Sequence, residues 1–228
     1  MHANNEIGNI LSVKQVKKIC DKYGAIFHSD TVQTIGKYQM DIRSLGFDFA
    51  IASAHKFHGP KGVGFAFINS DRELKPLITG GMQERSLRAG TENVCSIAGM
   101  SLALELALKN IEKSQVHIQK LKYKLIERIN NELPDIKFYG DPRREGLYTL
   151  VNLSLPPGEK SDMLAVKLDI EGIAVSGGSA CSSGSNKPSH VISSLGIMPE
   201  RPSLRISFSK LNTEDQVDKF VEILKEFY

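Results

Sequence analysis

This 228-residue chain predicts an α/β fold with a mainly parallel sheet, followed by a C-terminal α+β domain. Three observations carry that prediction. In the first half, short apolar runs alternate with segments of helical spacing. The apolar runs end in small polar clusters, as strands do where open sheets bind ligands. A helical stretch over Val94–Leu133, broken near Asn110, then divides the chain. Residues 1–110 read as one partial domain and 111–228 as the second. Hydrophobic residues make up 41% and charged residues 24%, which supports a packed core under a charged surface.

The elements follow in order. Asn4-Asn5-Glu6-Ile7-Gly8 reads as a turn. Val13, Val16, Ile19, Cys20 and Tyr23 recur at helical spacing, with Ser12 as N-cap and Gly24 as the stop. Ala25–His28 reads as a short buried strand closed by Ser29-Asp30-Thr31, and a helical turn covers Ile42–Leu45. Phe49–Ala52 is a strand that delivers Ser53-Ala54-His55-Lys56. The chain reverses through Gly59-Pro60-Lys61-Gly62-Val63-Gly64 into the apolar run Phe65–Ile68. Those glycines match neither G-x-x-x-x-G-K-[ST] nor G-x-G-x-x-G, so they make a turn and no nucleotide loop. Gly80–Asn93 is a polar loop suited to a ligand or a partner subunit. The second half reads as strand Tyr148–Leu155, helix Ser161–Glu171 and strand Ile173–Val175. A Ser/Gly loop over 176–185, helix Ser189–Leu195, strand Leu204–Phe208 and helix Thr213–Phe227 complete it.

Several classes are excluded. Lysine and arginine exceed the acidic residues by three and are interspersed, which leaves no footprint for direct nucleic-acid binding. No apolar run approaches the roughly 20 residues that span a membrane. Three scattered cysteines make neither a disulfide framework nor a metal pattern, and the histidines lack ligand spacing, so no metal is expected. A reducing compartment, hence the cytoplasm, is the expectation.

Lys56 sits between two apolar strands, where its ammonium must be solvated, paired or consumed by chemistry. Asp30, at the end of the preceding strand, either caps the next turn or aims a carboxylate at a ring nitrogen. Gln33 could hydrogen-bond a phenolic oxygen, and Ser53 and His55 could donate to a phosphate. An Asp/Lys pair one helix–strand interval apart is what pyridoxal phosphate (PLP) chemistry requires. Cys181 has small polar neighbours and reads as an exposed, mobile thiol, whereas Cys20 and Cys95 read as structural. Arg205 lies either on a solvent face or presents a fork to a carboxylate.

Taken together, these motifs resemble the NifS/IscS-type cysteine desulfurases of the class-V aminotransferases, with the PLP fold-type I architecture. They are Asn4–Gly8, Asp30 with Gln33, Ser53–Lys56, Arg88–Asn93, Ser179–Cys181 and Leu204–Ser207, all in family order. The resemblance implies that Lys56 holds PLP and shuttles protons, with Asp30 on the ring nitrogen and Gln33 and Asn5 beside the ring oxygen or substrate. Ser53 and His55 would bind the phosphate, and Thr91 would reach the phosphate of a neighbouring subunit in a homodimer. Arg205, with Asn5, would bind L-cysteine. Lys56, His55 and Cys181 would form the catalytic set, with Cys181 carrying sulfur as a persulfide to acceptors such as an iron–sulfur scaffold. The related alternatives are a selenocysteine lyase or another class-V enzyme, and the non-enzymatic one is a catalytically incomplete binding module. In this family the sheet begins before the Asn-Asn-Glu motif. The resemblance therefore makes Met1 an internal methionine, with a phosphate-cradling step and a ring-stacking histidine outside this chain. The polypeptide alone is then expected to bind PLP weakly.

Overall fold

Helix caps and ladder hydrogen bonds set the elements of the first unit, which comprises Met1–His2 and Leu11–Ile111. The computed structural model describes residues 1–143, 146–177, 189–196 and 201–228. Helix α1 (Val13–Tyr23) starts where the Ser12 hydroxyl accepts the Gln15 N–H and stops at Gly24, whose φ of 62° is left-handed. Val13 is buried, and Val16 and Cys20 pack with it against Phe27, Phe47 and Ala50. Ile19 and Tyr23, expected on the same stripe, are exposed.

Strand β1 is His28–Asp30, three residues later than Ala25–His28. Phe27 accounts for the shift. Its N–H donates to the Asp48 carboxylate at 2.7 Å, and its carbonyl accepts the Asp48 and Phe49 N–H groups. The regular ladder therefore begins at His28, paired with Phe49 of β2 (Phe49–Ser53). Asp48 is buried, and its carboxyl is held below the ordinary range, first by the Phe27 N–H and then by Arg72 at 2.6 Å.

β1 and β2 are parallel, while β2 and β3 (Gly64–Ile68) are antiparallel. The described sheet, in order β1-β2-β3, is thus mixed and not mainly parallel. The connection from Ser53 to Gly64 is a 3₁₀ turn over Ala54–Phe57 and a tight reversal, too short for a parallel crossover. Gly64 makes the reversal possible, because a Cβ there would lie 2.3 Å from the Ala52 carbonyl oxygen. Helix α2 (Val94–Lys109), capped by Asn93, packs Met100, Ala103, Leu104 and Ala107 on Ala54 and Phe57. Val94, Leu102, Leu106 and Leu108 are exposed, as are Leu77 and Met82 before the helix.

The second unit comprises Ala3–Ile10 and Glu112–Tyr228. Helix α3 (Ile111–Glu132) follows α2 after the expected break at Asn110. Ile118, Leu121, Leu125, Ile126 and Ile129 recur at helical spacing and are buried. The sheet is antiparallel, in order β4 (Lys137–Tyr139), β5 (Leu150–Ser154), β6 (Ser203–Ser207). Every residue of the central β5 is buried. Helix α4 (Glu159–Ile170), the short α5 (His190–Ser194) and α6 (Glu214–Phe227) complete the unit. A Thr213/Gln216 capping box starts α6, which buries Val217, Phe220, Val221 and Leu224. Between α3 and α6, Lys124 pairs with Glu214 and Asp218, and Arg128 with Asp218 and Glu222. The expected strand at Ile173–Val175 does not form. In its place Ser176 makes an isolated antiparallel bridge with Arg205. No single helix among the described residues is long and apolar enough to cross a membrane.

Candidate functional site

The parallel β1/β2 pair brings both strands' carboxyl ends to the same end of the sheet. Asp30 closes β1 and Ser53 closes β2, so a carboxylate and a hydroxyl emerge from neighbouring strands. Asp30 is half-buried, and its Oδ1 accepts the Val32 N–H at 2.9 Å. The turn-capping role is therefore real, yet it occupies only one carboxylate oxygen. Thr31 ties the strand ends together by donating its hydroxyl to the Ile51 carbonyl at 2.7 Å.

The 3₁₀ turn after β2 carries His55 and Lys56. Ser53 Oγ lies 2.9 Å from His55 Nδ1, so the two polar groups expected at one phosphate are already together. Ala54 and Phe57 are buried and anchor the turn. Between them Lys56 is half-buried, and its Nζ makes no hydrogen bond or ion pair with the described residues. Such an amine is neither fully solvated nor paired.

A second turn, over residues 31–38, carries Gln33. It is closed by the Ile35 N–H on the Thr31 carbonyl at 3.0 Å and the Tyr38 N–H on the Thr34 carbonyl at 3.1 Å. Gly36, at φ 75°, lets this turn pack on the Lys56 segment, since a Cβ there would lie 2.7 Å from Phe57 Cβ. Gln33 Oε1 accepts a hydrogen bond from Lys37 Nζ at 3.0 Å. Burial, and then the charge on Lys56, push the Lys37 ammonium down to about 8. Sequence reasoning passes over Lys37. Its only advance signal is the spacing of four residues from Gln33.

Thr91 belongs to the same unit but is exposed and makes no hydrogen bond to this group. Asn5 and Arg205 belong to the second unit, where Arg205 Nη1 donates to the Asn5 carbonyl at 2.9 Å. Arg205 stands opposite Asn152 on β5, half-buried, with its Nε fully covered, so it does not simply face solvent. In the same turn Glu6 is buried. Its carboxylate accepts the Ser189 hydroxyl, and its carbonyl accepts Asn152 Nδ2 at 3.0 Å. Neither Glu6 nor Ser189 stands out in sequence. Cys181 lies outside the described residues. Cys95, read as structural, is exposed, and Cys20 is half-buried; both are free.

In chemical terms the first unit assembles an amine, a carboxylate, a primary amide and a hydroxyl/imidazole pair. That donor set suits an anionic aromatic aldehyde, with an amine for the carbonyl, a carboxylate for a ring nitrogen and donors for oxygen and phosphate.

Comparison with known proteins agrees. The profile of the family "Aminotransferase class-V" matches residues 1–220. The chain is similar to a protein named cysteine desulfurase IscS from Dictyoglomus turgidum, at 40% identity over 227 residues, covering 99% of this chain and 57% of that protein. A protein of the same name from Methanosarcina thermophila is 40% identical, with 99% and 56% covered. Among solved structures, a NifS-like protein from Rickettsia africae superposes with a TM-score of 0.89 at 34% identity, covering all of this chain and 60% of that one. The chain thus spans little more than half the length of the relatives it matches. The profile match over nearly the whole sequence and the shared fold make this chain a member of the class-V aminotransferase family, with the α/β architecture of the NifS-like PLP enzymes.

Proposed function

We propose that this chain carries the cofactor-holding and sulfur-accepting residues of a PLP-dependent cysteine desulfurase, which converts L-cysteine to L-alanine. One observation carries the reading. Asp30, Gln33, Ser53, His55 and Lys56, which has no partner among the described residues, gather within one unit at the carboxyl end of a parallel strand pair. Class-V aminotransferases are PLP enzymes, and this donor set fits that group. When bound, the cofactor supplies an electron sink that labilises bonds at an amino-acid α-carbon.

The chain's own groups would divide the work. Lys56 Nζ would hold the aldehyde carbon and move a proton at the substrate. The free oxygen of Asp30 would keep a proton on the ring nitrogen. Gln33 would donate to the phenolic oxygen, Ser53 and His55 would hold the phosphate, and Thr91 would serve the partner subunit's phosphate. Arg205, with Asn5, would bind the substrate carboxylate, and Cys181 would take up the sulfur as a persulfide for an acceptor protein. A homodimer is part of this reading, supported by the exposed apolar surface of Leu77, Met82 and α2. A cytoplasmic location is supported by the free Cys20 and Cys95.

The test is covalent trapping, which works even for weak binding. The chain is incubated with PLP, reduced with borohydride and mapped by peptide mass spectrometry. Label should concentrate on Lys56 and disappear in Lys56→Ala, and L-cysteine with a thiol reductant, which releases the persulfide sulfur, should yield sulfide only when Cys181 is present. Label spread evenly over surface lysines would refute the assignment.

A further inference from the structure

We infer that Lys37 is a positioning residue: it grips the Gln33 side-chain carbonyl and thereby aims the Gln33 NH₂ as a hydrogen-bond donor into the Asp30–Lys56 group. The inference deepens the proposed function and rests on it.

Geometry carries the argument. A free glutamine amide can rotate, so it can offer either its oxygen or its NH₂ to a ligand. Lys37 removes that choice. An ammonium has three donors and no acceptor, so only the Gln33 oxygen can face it, and the structure has Oε1 turned to Lys37 Nζ at 3.0 Å. The NH₂, on the same carbon as that oxygen, is then left to donate elsewhere. A phenolic oxygen that carries negative charge needs a donor, and an oxygen in that position would repel it.

The turn keeps this pair in register. Thr34 and Ile35 are buried beneath it, and the turn's own hydrogen bonds place residues 33 and 37 on one face. Gly36, within the same turn, lies close against Phe57, the residue after Lys56. The like charges of Lys37 and Lys56 lie close enough to act on each other. Burial and then the charge on Lys56 bring the Lys37 ammonium to about 8, so it persists below that pH. Placing two cations together is costly unless the site is built to receive an anion.

The test has two arms. In the first, no cofactor is present. The Gln33 side-chain NH₂ signals in an amide-nitrogen NMR spectrum are identified by their loss in Gln33→Glu. They should shift in Lys37→Met and return toward their original positions in Lys37→Arg, which also donates. Unchanged Gln33 signals in Lys37→Met would overturn the inference. In the second arm PLP is titrated and trapping at Lys56 is measured. Lys37→Met should weaken uptake about tenfold, the scale of one charge-assisted hydrogen bond. It should also move the visible absorbance of the bound cofactor to shorter wavelength, while Lys37→Arg restores both. Unchanged affinity and spectrum would likewise overturn it. If the chain takes up no PLP at Lys56, the functional reading fails, while the first arm still decides whether Lys37 orients Gln33.

Discussion

Replacing Gly36 with alanine should disturb the candidate site from a position that touches no ligand. Two costs combine there. At φ 75° an alanine sits in the left-handed region, roughly 1–2 kcal/mol unfavourable for an L-residue. Its Cβ would also lie 2.7 Å from Phe57 Cβ, so either the 31–38 turn or the Lys56 segment must move, at roughly 1–3 kcal/mol. Gly62 provides the control. It has nearly the same φ, 77°, lies in the same unit, and an added Cβ meets nothing within 4 Å. Gly62→Ala therefore measures backbone strain alone, and the difference between the two variants isolates the clash. In a thermal melt, each kcal/mol corresponds to about 2–4 °C for a chain of this size. Gly36→Ala should melt several degrees below Gly62→Ala and lose PLP trapping at Lys56, which Gly62→Ala retains. Equal melting points with equal trapping would refute the claim that this turn is wedged against the Lys56 segment.

Two further predictions concern the second unit. Lys122 is 3% exposed, and burial pushes its ammonium down to about 8, although its Nζ donates to the Leu147 carbonyl at 2.8 Å. The unfolded chain holds that proton up to about 10.5, so stability should rise between pH 8 and 10.5, by about 3 kcal/mol in total. Lys122→Met should show a smaller rise when denaturant midpoints are compared across that range, keeping the part that Lys37 contributes in the same window, and a parallel pair of curves would contradict the assignment. Glu6→Ala strands the Ser189 hydroxyl and should cost about 2–3 kcal/mol, whereas Glu6→Gln, which can still accept, should cost under about 1 kcal/mol. Chemical denaturation of both variants checks this, and equal losses would show that the hydrogen bond is not what matters.

How much was legible beforehand depended on whether a feature is local. The caps of α1 and the break between α2 and α3 were readable because Ser12, Gly24 and Asn110 act within a few residues of themselves. The onset of β1 was not, because Asp48, 21 residues away, captures the Phe27 N–H. Strand β4 offers only three residues, too few for a visible alternation. The antiparallel β3 follows from how short the Ser53–Gly64 connection is, a feature the sequence contains but the strand–helix alternation obscures. At the site, Asp30 and Lys56 stand out because charged groups directly after apolar strands are unusual. Lys37 does not, since nothing in a Gly-Lys-Tyr step reveals that the turn will be pressed against Phe57. Glu6 and Ser189 meet across 183 residues, a separation no motif encodes.

The membership of residues 3–10 in the second unit bears on how the protein is made. The Asn5 carbonyl waits for an arginine 200 residues downstream, and Glu6 for a serine 183 residues downstream. At translation speeds of about 5–20 residues per second, that wait is on the order of 10–40 s. Throughout it, a segment holding a carboxylate destined for burial stays without its hydroxyl partner. The remainder of residues 11–111 can meanwhile complete their own sheet. Synthesis therefore imposes an order in which the turn that anchors Arg205 is made long before that arginine and is secured only after it.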